Sequence, residues 1–206
     1  MIREVAAPCA GAQKGYPKSE TQKQVILSGS PFSNGKTEKV AYRLQQQACE
    51  QGNDVALIRL SHVSIAGCLG CNRCARFELA TLHDYACVIE DDMQALAQKL
   101  AWCDKLVVVS PVFFSGAPSQ LKAVYDRLQP YFWHKTLRLK KRPFDLVVLG
   151  EGGDPYGSEA LVSESCSALA MAGFKLRRVR DLVGKIPDGD SFDLPELNDV
   201  ETDIGK

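Results

Sequence analysis

Two short stretches carry residue types whose spacing can do chemistry. The first is GCLGCNRCA, where Cys68, Cys71 and Cys74 make a C-x2-C-x2-C pattern and Cys87 follows after twelve more residues. Three thiolates within seven residues suit one face of a 4Fe-4S cluster whose fourth ligand comes from farther along the chain. A tetrathiolate zinc site, or one using His83, is also chemically possible, and so are plain free thiols. The second stretch is GSPFSNGKT, Gly29 to Thr37, directly after the apolar run QVILS. A strand, then Ser30, Ser33, Asn34 and Thr37, then an amphipathic helix offers an anion hydroxyls, free N–H groups and the positive end of a helix dipole. A nucleoside triphosphate fits this loop poorly. The Walker A loop places four residues between its first Gly and Gly-Lys-Thr, whereas five stand between Gly29 and Gly35. The later apolar run KLVVVSP ends in Ser110 and Pro111, not in the Asp that would hold magnesium. The plain alternative is that Ser33 or Asn34 caps the helix.

Composition narrows the setting. With 206 residues and 45% hydrophobic content, the chain suits one domain with a sizeable core. Lysine plus arginine equals aspartate plus glutamate at 25 each, so no global field draws nucleic acid or a membrane surface. No apolar run reaches the ~20 residues of a transmembrane helix, and the first residues lack the apolar core of a secretory signal. A cytoplasmic protein is therefore expected. Its eight cysteines then point to metal or redox chemistry and not to a disulfide framework.

The elements that must position these residues read as follows. Apolar runs at 24–28, 54–60, 105–111 and 144–150 predict strands, with a weaker fifth near 174–183. Between them, helical spacing predicts helices from about Lys36 to Gln51, after Asp91, through Leu121, Val124, Tyr125 and Leu128, and from about Ser158 to Ala172. Asp91 caps the second helix, with Gln94 at the capping-box position. Alternating strands and helices predict a parallel α/β sheet. Residues 1–23 read as a flexible arm or an oligomer contact, 24–186 as the domain, 61–90 as a cysteine-rich insertion within it, and 187–206 as an acidic tail. The basic run Lys135, Arg138, Lys140, Lys141 and Arg142 reads as an exposed loop, and Tyr131, Phe132 and Trp133 as core packing or a subunit contact. In a doubly wound sheet the loops after strands one, three and four meet at the carboxyl edge, where ligands bind. Here they are GSPFSNGKT, SPVFFSGAPSQ and GEGGDPYG: one suited to phosphate, one with Phe113 and Phe114 for a flat ring, one rich in glycine.

GSPFSNGKT, PVFFSGAPSQLKAVYDR and GEGG resemble the flavin loops of the flavodoxin-like NAD(P)H-dependent FMN reductases, and most of all the iron-sulfur flavoprotein branch. The resemblance implies a flavodoxin-like three-layer sandwich with strand order 2-1-3-4-5. It places the FMN phosphate on Ser30, Ser33, Asn34, Gly35 and Thr37. It places the ribityl chain and ring on Pro111, Val112, Phe113, Phe114, Ser115 and Gly116, under a lid of Gly150, Glu151, Gly152 and Gly153. Where the family often has a basic residue after the first proline, this chain has Phe32. Phosphate binding then rests on N–H groups, hydroxyls and Lys36. Phe113 replaces a common tyrosine, so a modest FMN affinity is expected. The branch also carries its cluster in this insertion, with a shorter gap to the fourth cysteine; this assigns Cys68, Cys71, Cys74 and Cys87. The implied activity is hydride transfer from NAD(P)H to FMN, then electron transfer to a quinone, flavin or other small acceptor, with no obligatory side-chain acid or base. An electron carrier working with ferredoxin-type partners is the alternative. A homodimer or homotetramer is implied as well.

Overall fold

The computed structural model describes residues 21–78, 84–134 and 141–187. The arm over 1–20, His83, Lys135, Arg138, Lys140 and the acidic tail from Asp188 lie outside the described residues.

The apolar runs form five strands: β1 (Lys23–Ser28), β2 (Asp54–Arg59), β3 (Lys105–Pro111), β4 (Arg142–Leu149) and β5 (Phe174–Asp181). All neighbours are parallel, in the order β2-β1-β3-β4-β5. The helices are α1 (Lys36–Glu50), α2 (Met93–Trp102), α3 (Ser119–Asp126), α4 (Gln129–Trp133) and α5 (Glu159–Met171). The strands read as unbroken apolar runs because both faces are covered. Val25 and Leu27 of β1, Leu106 and Val108 of β3, and Leu146 and Val148 of β4 join one core with Leu96, Leu121, Val124 and Leu161. The alternate residues Ile26, Val107, Val109 and Val147 join a second with Val40, Ala41 and Leu44 of α1. This period of two is the pleat itself. Among the described residues, no helix is long and apolar enough to cross a membrane.

Two details depart from the sequence reading. Arg142 does not sit in an exposed loop: it opens β4, and its guanidinium donates to Leu100 O at 2.6 Å, Cys103 O at 2.8 Å and Ala172 O at 2.8 Å. Carbonyls at the ends of α2 and α5 lack intrahelical donors, and this cation supplies them. The helix expected through Leu128 is split into α3 and α4, because Pro130 has no N–H to continue the ladder and instead starts a new turn.

Candidate functional site

From the neighbouring strands β1 and β3 the chain goes on to β2 on one side and to β4 on the other, so a crevice opens above their carboxyl ends. The chain leaves β1 with the Gly29 N–H on Val109 O at 2.8 Å. A Cβ on Gly29 would stand 2.9 Å from Leu121 Cδ2, so only glycine lets α3 pack this close. Ser30 is buried, and its Oγ accepts the Phe32 N–H at 3.1 Å. Asn34 takes a left-handed φ of 62°, which Asn tolerates, and its N–H donates to Glu38 Oε2 at 2.8 Å. The N-cap of α1 is Gly35, and no side chain caps the helix. Neither Ser33 nor Asn34 is therefore a simple cap. The first-turn N–H groups, which have no carbonyl four residues back, stay suited to an anion.

Glu38 was not singled out from the sequence. It is 0% exposed, and besides Asn34 it accepts the Ser61 hydroxyl at 2.7 Å, with Arg59 Nη1 at 3.9 Å. This carboxylate ties the loop to the segment after β2. The only sequence signal was an acid in a first helical turn, which reads as an ordinary dipole partner.

The other two loops close on the first. Phe32 and Phe113 lie with ring centroids 6.4 Å apart. Lys36 Nζ reaches Glu151 Oε1 at 3.0 Å. Ser115 Oγ donates to Tyr156 O at 3.2 Å, and the Val112 N–H to Leu149 O at 2.8 Å. Gly152 and Gly153 have φ of 92° and 86°, open to glycine and strained for other residues. The residues assigned to the flavin from sequence thus lie on three cross-tied loops at the carboxyl edge of the sheet, or, for Lys36, Thr37 and Pro111, on the ends of the elements that those loops join.

The second loop makes a tight reversal. Phe113 and Gly116 exchange N–H···O bonds of 3.0 Å, with Phe114 and Ser115 at φ 50° and 65°. This pattern, positive φ at both central residues, normally selects Asn-Gly. Phe114 holds the strained position with its side chain 100% exposed. Backbone strain of this kind clusters at ligand clamps and active sites. Replacing Phe114 by Asn, which accepts this conformation, should raise the thermal midpoint by roughly 2–4 °C. A calorimetric midpoint that stays put or falls would show the turn unstrained.

The cysteines form a second feature. Gly70 and Asn72, at φ 63° and 54°, turn the chain back on itself, and Cys74 lies in the short 3-10 turn Arg73–Arg76. As a result Cys68, Cys71, Cys74 and Cys87 line one cavity of about 290 Å³, walled by Val88, Ile89, Arg127 and Pro130. All four are free thiols. The Gly70 N–H points at Cys68 Sγ, 3.4 Å away. Burial, then Cys87 and the other two thiols, push the Cys74 thiol above its ordinary range. Among the described residues, no three His, Cys, Asp or Glu side chains are grouped so as to hold a single metal ion. Cys49 lies in α1 and Cys103 at the end of α2, away from this cavity.

With this geometry in place, the likeness to known proteins is decisive. The sequence profile of a family described as "NADPH-dependent FMN reductase" matches residues 23–179, which include all three loops and the cysteine segment. The chain belongs to the NADPH-dependent FMN reductase family. It is a flavin-dependent oxidoreductase, and FMN with NAD(P)H as co-substrate goes with that membership. Within the family it lies on the iron-sulfur flavoprotein side. It is 32% identical over 144 residues to an iron-sulfur flavoprotein of Methanosarcina thermophila, 68% of either chain. It is 31% identical over 108 residues to one of Methanocaldococcus jannaschii, covering 52% of each, so the match spans about half of that relative. The NAD(P)H:quinone oxidoreductase of Methanothermobacter marburgensis shares the fold, with a TM-score of 0.61 at 18% identity over 84% of this chain and 88% of the other.

Both groups fit the residues that this family member presents. An uncapped helix start beside glycine-rich loops suits a flavin phosphate. Four thiols lining one cavity suit a cluster of irons.

Proposed function

We propose that the protein passes electrons from NAD(P)H, through FMN held by the three loops, to a small acceptor such as a quinone or a flavin, and that Cys68, Cys71, Cys74 and Cys87 hold a 4Fe-4S cluster. The observation that carries the reductase reading is the set of contacts locking the three loops together at the sheet edge. FMN, when bound, supplies hydride acceptance and one-electron release. The protein's own part is to bind and orient. First-turn N–H groups of α1 would take the phosphate. Lys36 can join them, because its exposed pairing with Glu151 is worth only ~0–1 kcal/mol. The backbone of 112–116, with the exposed Phe113 and Phe114, would hold the ring.

The cavity favours a cluster over zinc. Four thiolates on one tetrahedral zinc at ~2.3 Å must crowd to within ~3.8 Å of one another. The cysteines here surround a space instead of meeting at a point. A cluster spreads its thiolates over four irons, which such a space accommodates. The same cavity supports a second reading, an electron carrier fed by ferredoxin-type partners. Phe132 and Trp133, 41% and 45% exposed, suit a contact between copies of the chain in either case.

One anaerobic experiment separates the two readings. On mixing with NADPH or NADH, the visible flavin band of the purified protein should bleach within seconds. Bleaching only with reduced ferredoxin would support the carrier, and protein that purifies colourless and takes up no FMN would overturn both readings.

A further inference from the structure

We infer that Arg127 is the positioning residue of the cysteine cavity, a clamp that holds the chain on both sides of it in register. The inference rests on the reading that this cavity takes a cluster. Arg127 follows α3 and is 1% exposed, yet its guanidinium is fully used. Nε donates to the Tyr85 hydroxyl at 3.3 Å. Nη1 donates to Ala66 O at 3.0 Å and Asp91 Oδ2 at 2.8 Å. Nη2 donates to Ile89 O at 3.3 Å and Asp91 Oδ1 at 3.0 Å. Each of the five N–H groups of an arginine thus has an acceptor.

The placement of those acceptors gives the clamp its meaning. Ala66 stands two residues before Cys68, and Tyr85 and Ile89 stand two residues on either side of Cys87. The Tyr85 hydroxyl donates back to Arg127 O at 3.0 Å, and the Ala66 N–H donates to Asp91 Oδ2 at 2.9 Å. One side chain therefore sets the first and last cysteines relative to each other. It also forms part of the cavity wall. Cys71 and Cys74 are placed instead by the turns at Gly70 and Asn72.

Stability alone does not explain the arrangement. A buried ion pair can often be replaced by apolar residues at no loss. What the fork supplies is fixed geometry across two distant segments, which is the recognised task of outer-shell groups around metal ligands. Asp91 remains the ionised partner: burial pushes its carboxyl up, but the hydrogen bond from Arg127 and those from the Ala66 and Met93 N–H groups outweigh this and hold it below the usual range. Lysine keeps the charge but offers three donors at one point, so it cannot span these acceptors.

The test compares wild type with Arg127→Lys and Tyr85→Phe after anaerobic reconstitution with iron and sulfide. Iron is competed off with a chelator, while FMN content and melting temperature are followed in the same samples. Arg127→Lys should bind iron about 10- to 100-fold more weakly, with FMN retained and the cluster absorption reduced in step. A lysine variant that holds iron like the wild type overturns the clamp. If that variant does not fold, Tyr85→Phe decides, because it removes one acceptor and keeps the ring: a several-fold weaker hold on iron supports the clamp and an unchanged one overturns it. If wild type takes up no iron, the cluster reading fails by itself. The clamp is then read in iron-free protein by alkylation of Cys87, which should speed up on the order of tenfold in Arg127→Lys as the segment opens. An unchanged rate there overturns it.

Discussion

Replacing Glu38 by alanine is expected to cost about 2–3 kcal/mol of folding stability, from the acceptor that two donors lose at once. The carboxylate is fully buried and takes the Asn34 N–H at 2.8 Å and the Ser61 hydroxyl at 2.7 Å. Alanine takes the acceptor from both donors, one on exposed Asn34 and one on half-buried Ser61, so water recovers part of the ~1–3 kcal/mol that each would cost in a dry site. It also removes the carboxylate that stands 3.9 Å from Arg59 Nη1 and 3.8 Å from His62 Nδ1. Asn34 is the residue at positive φ that shapes the phosphate loop, so FMN retention should fall with stability. Glutamine, with one oxygen where two are used, should lie between. Glu151→Ala is the contrast: it breaks the Lys36 bridge, but Glu151 is 82% exposed and the loss should stay within ~1 kcal/mol. Urea denaturation of the FMN-free proteins, and FMN release from the FMN-loaded ones followed by fluorescence, check the ranking. Equal midpoints for Glu38→Ala and Glu151→Ala would show that the buried carboxylate does not hold the loop.

Glu38 also marks where the sequence stops being readable. The sheet was legible because strands buried on both faces must be apolar throughout, and QVILS, DVALIRL, KLVVVSP and FDLVVLG are. Parallel order and the meeting of three loops followed from alternation and from the doubly wound rule. The inner support of the site was not legible, because its partners come from different elements. Nothing local tells Glu38 that Asn34 and Ser61 will face it, or Arg127 that Ala66, Tyr85 and Ile89 will. The reversal at Phe114 and Ser115 was hidden for a related reason: it lacks the glycine or asparagine that announces such a turn. Arg142 read as one of a basic run, since only the packed helices supply the carbonyls that it serves. Cys87 lies between these cases. Its thiol chemistry was plain, but its nearness to Cys74 across a twelve-residue gap depends on the fold.

The cysteine prediction has the largest effect of all, because it is close to all-or-none. Reconstituted wild type should hold about four irons per chain, the content of one 4Fe-4S centre. Cys71→Ser should lower that sharply, since a serine oxygen replaces the soft thiolate that iron-sulfur clusters require. Cys71 is exposed, so the substitution leaves no void and the fold should be unaffected. FMN should stay bound, because the three loops contain no cysteine. Cys166→Ser is the control: this thiol sits on α5, outside the cavity, and its loss should leave iron unchanged. Metal analysis on the same samples reads the alternatives. One zinc per chain, lost in Cys71→Ser, would make the site a tetrathiolate zinc centre despite the spread of its thiols. No metal in anaerobic wild type, or iron indifferent to Cys71, would leave four free thiols around a cavity and the protein a flavin reductase without a second redox centre. Full iron in wild type with loss on Cys71→Ser would instead place a one-electron centre on the same chain as a flavin. That pairing lets hydride, delivered as two electrons, leave one at a time.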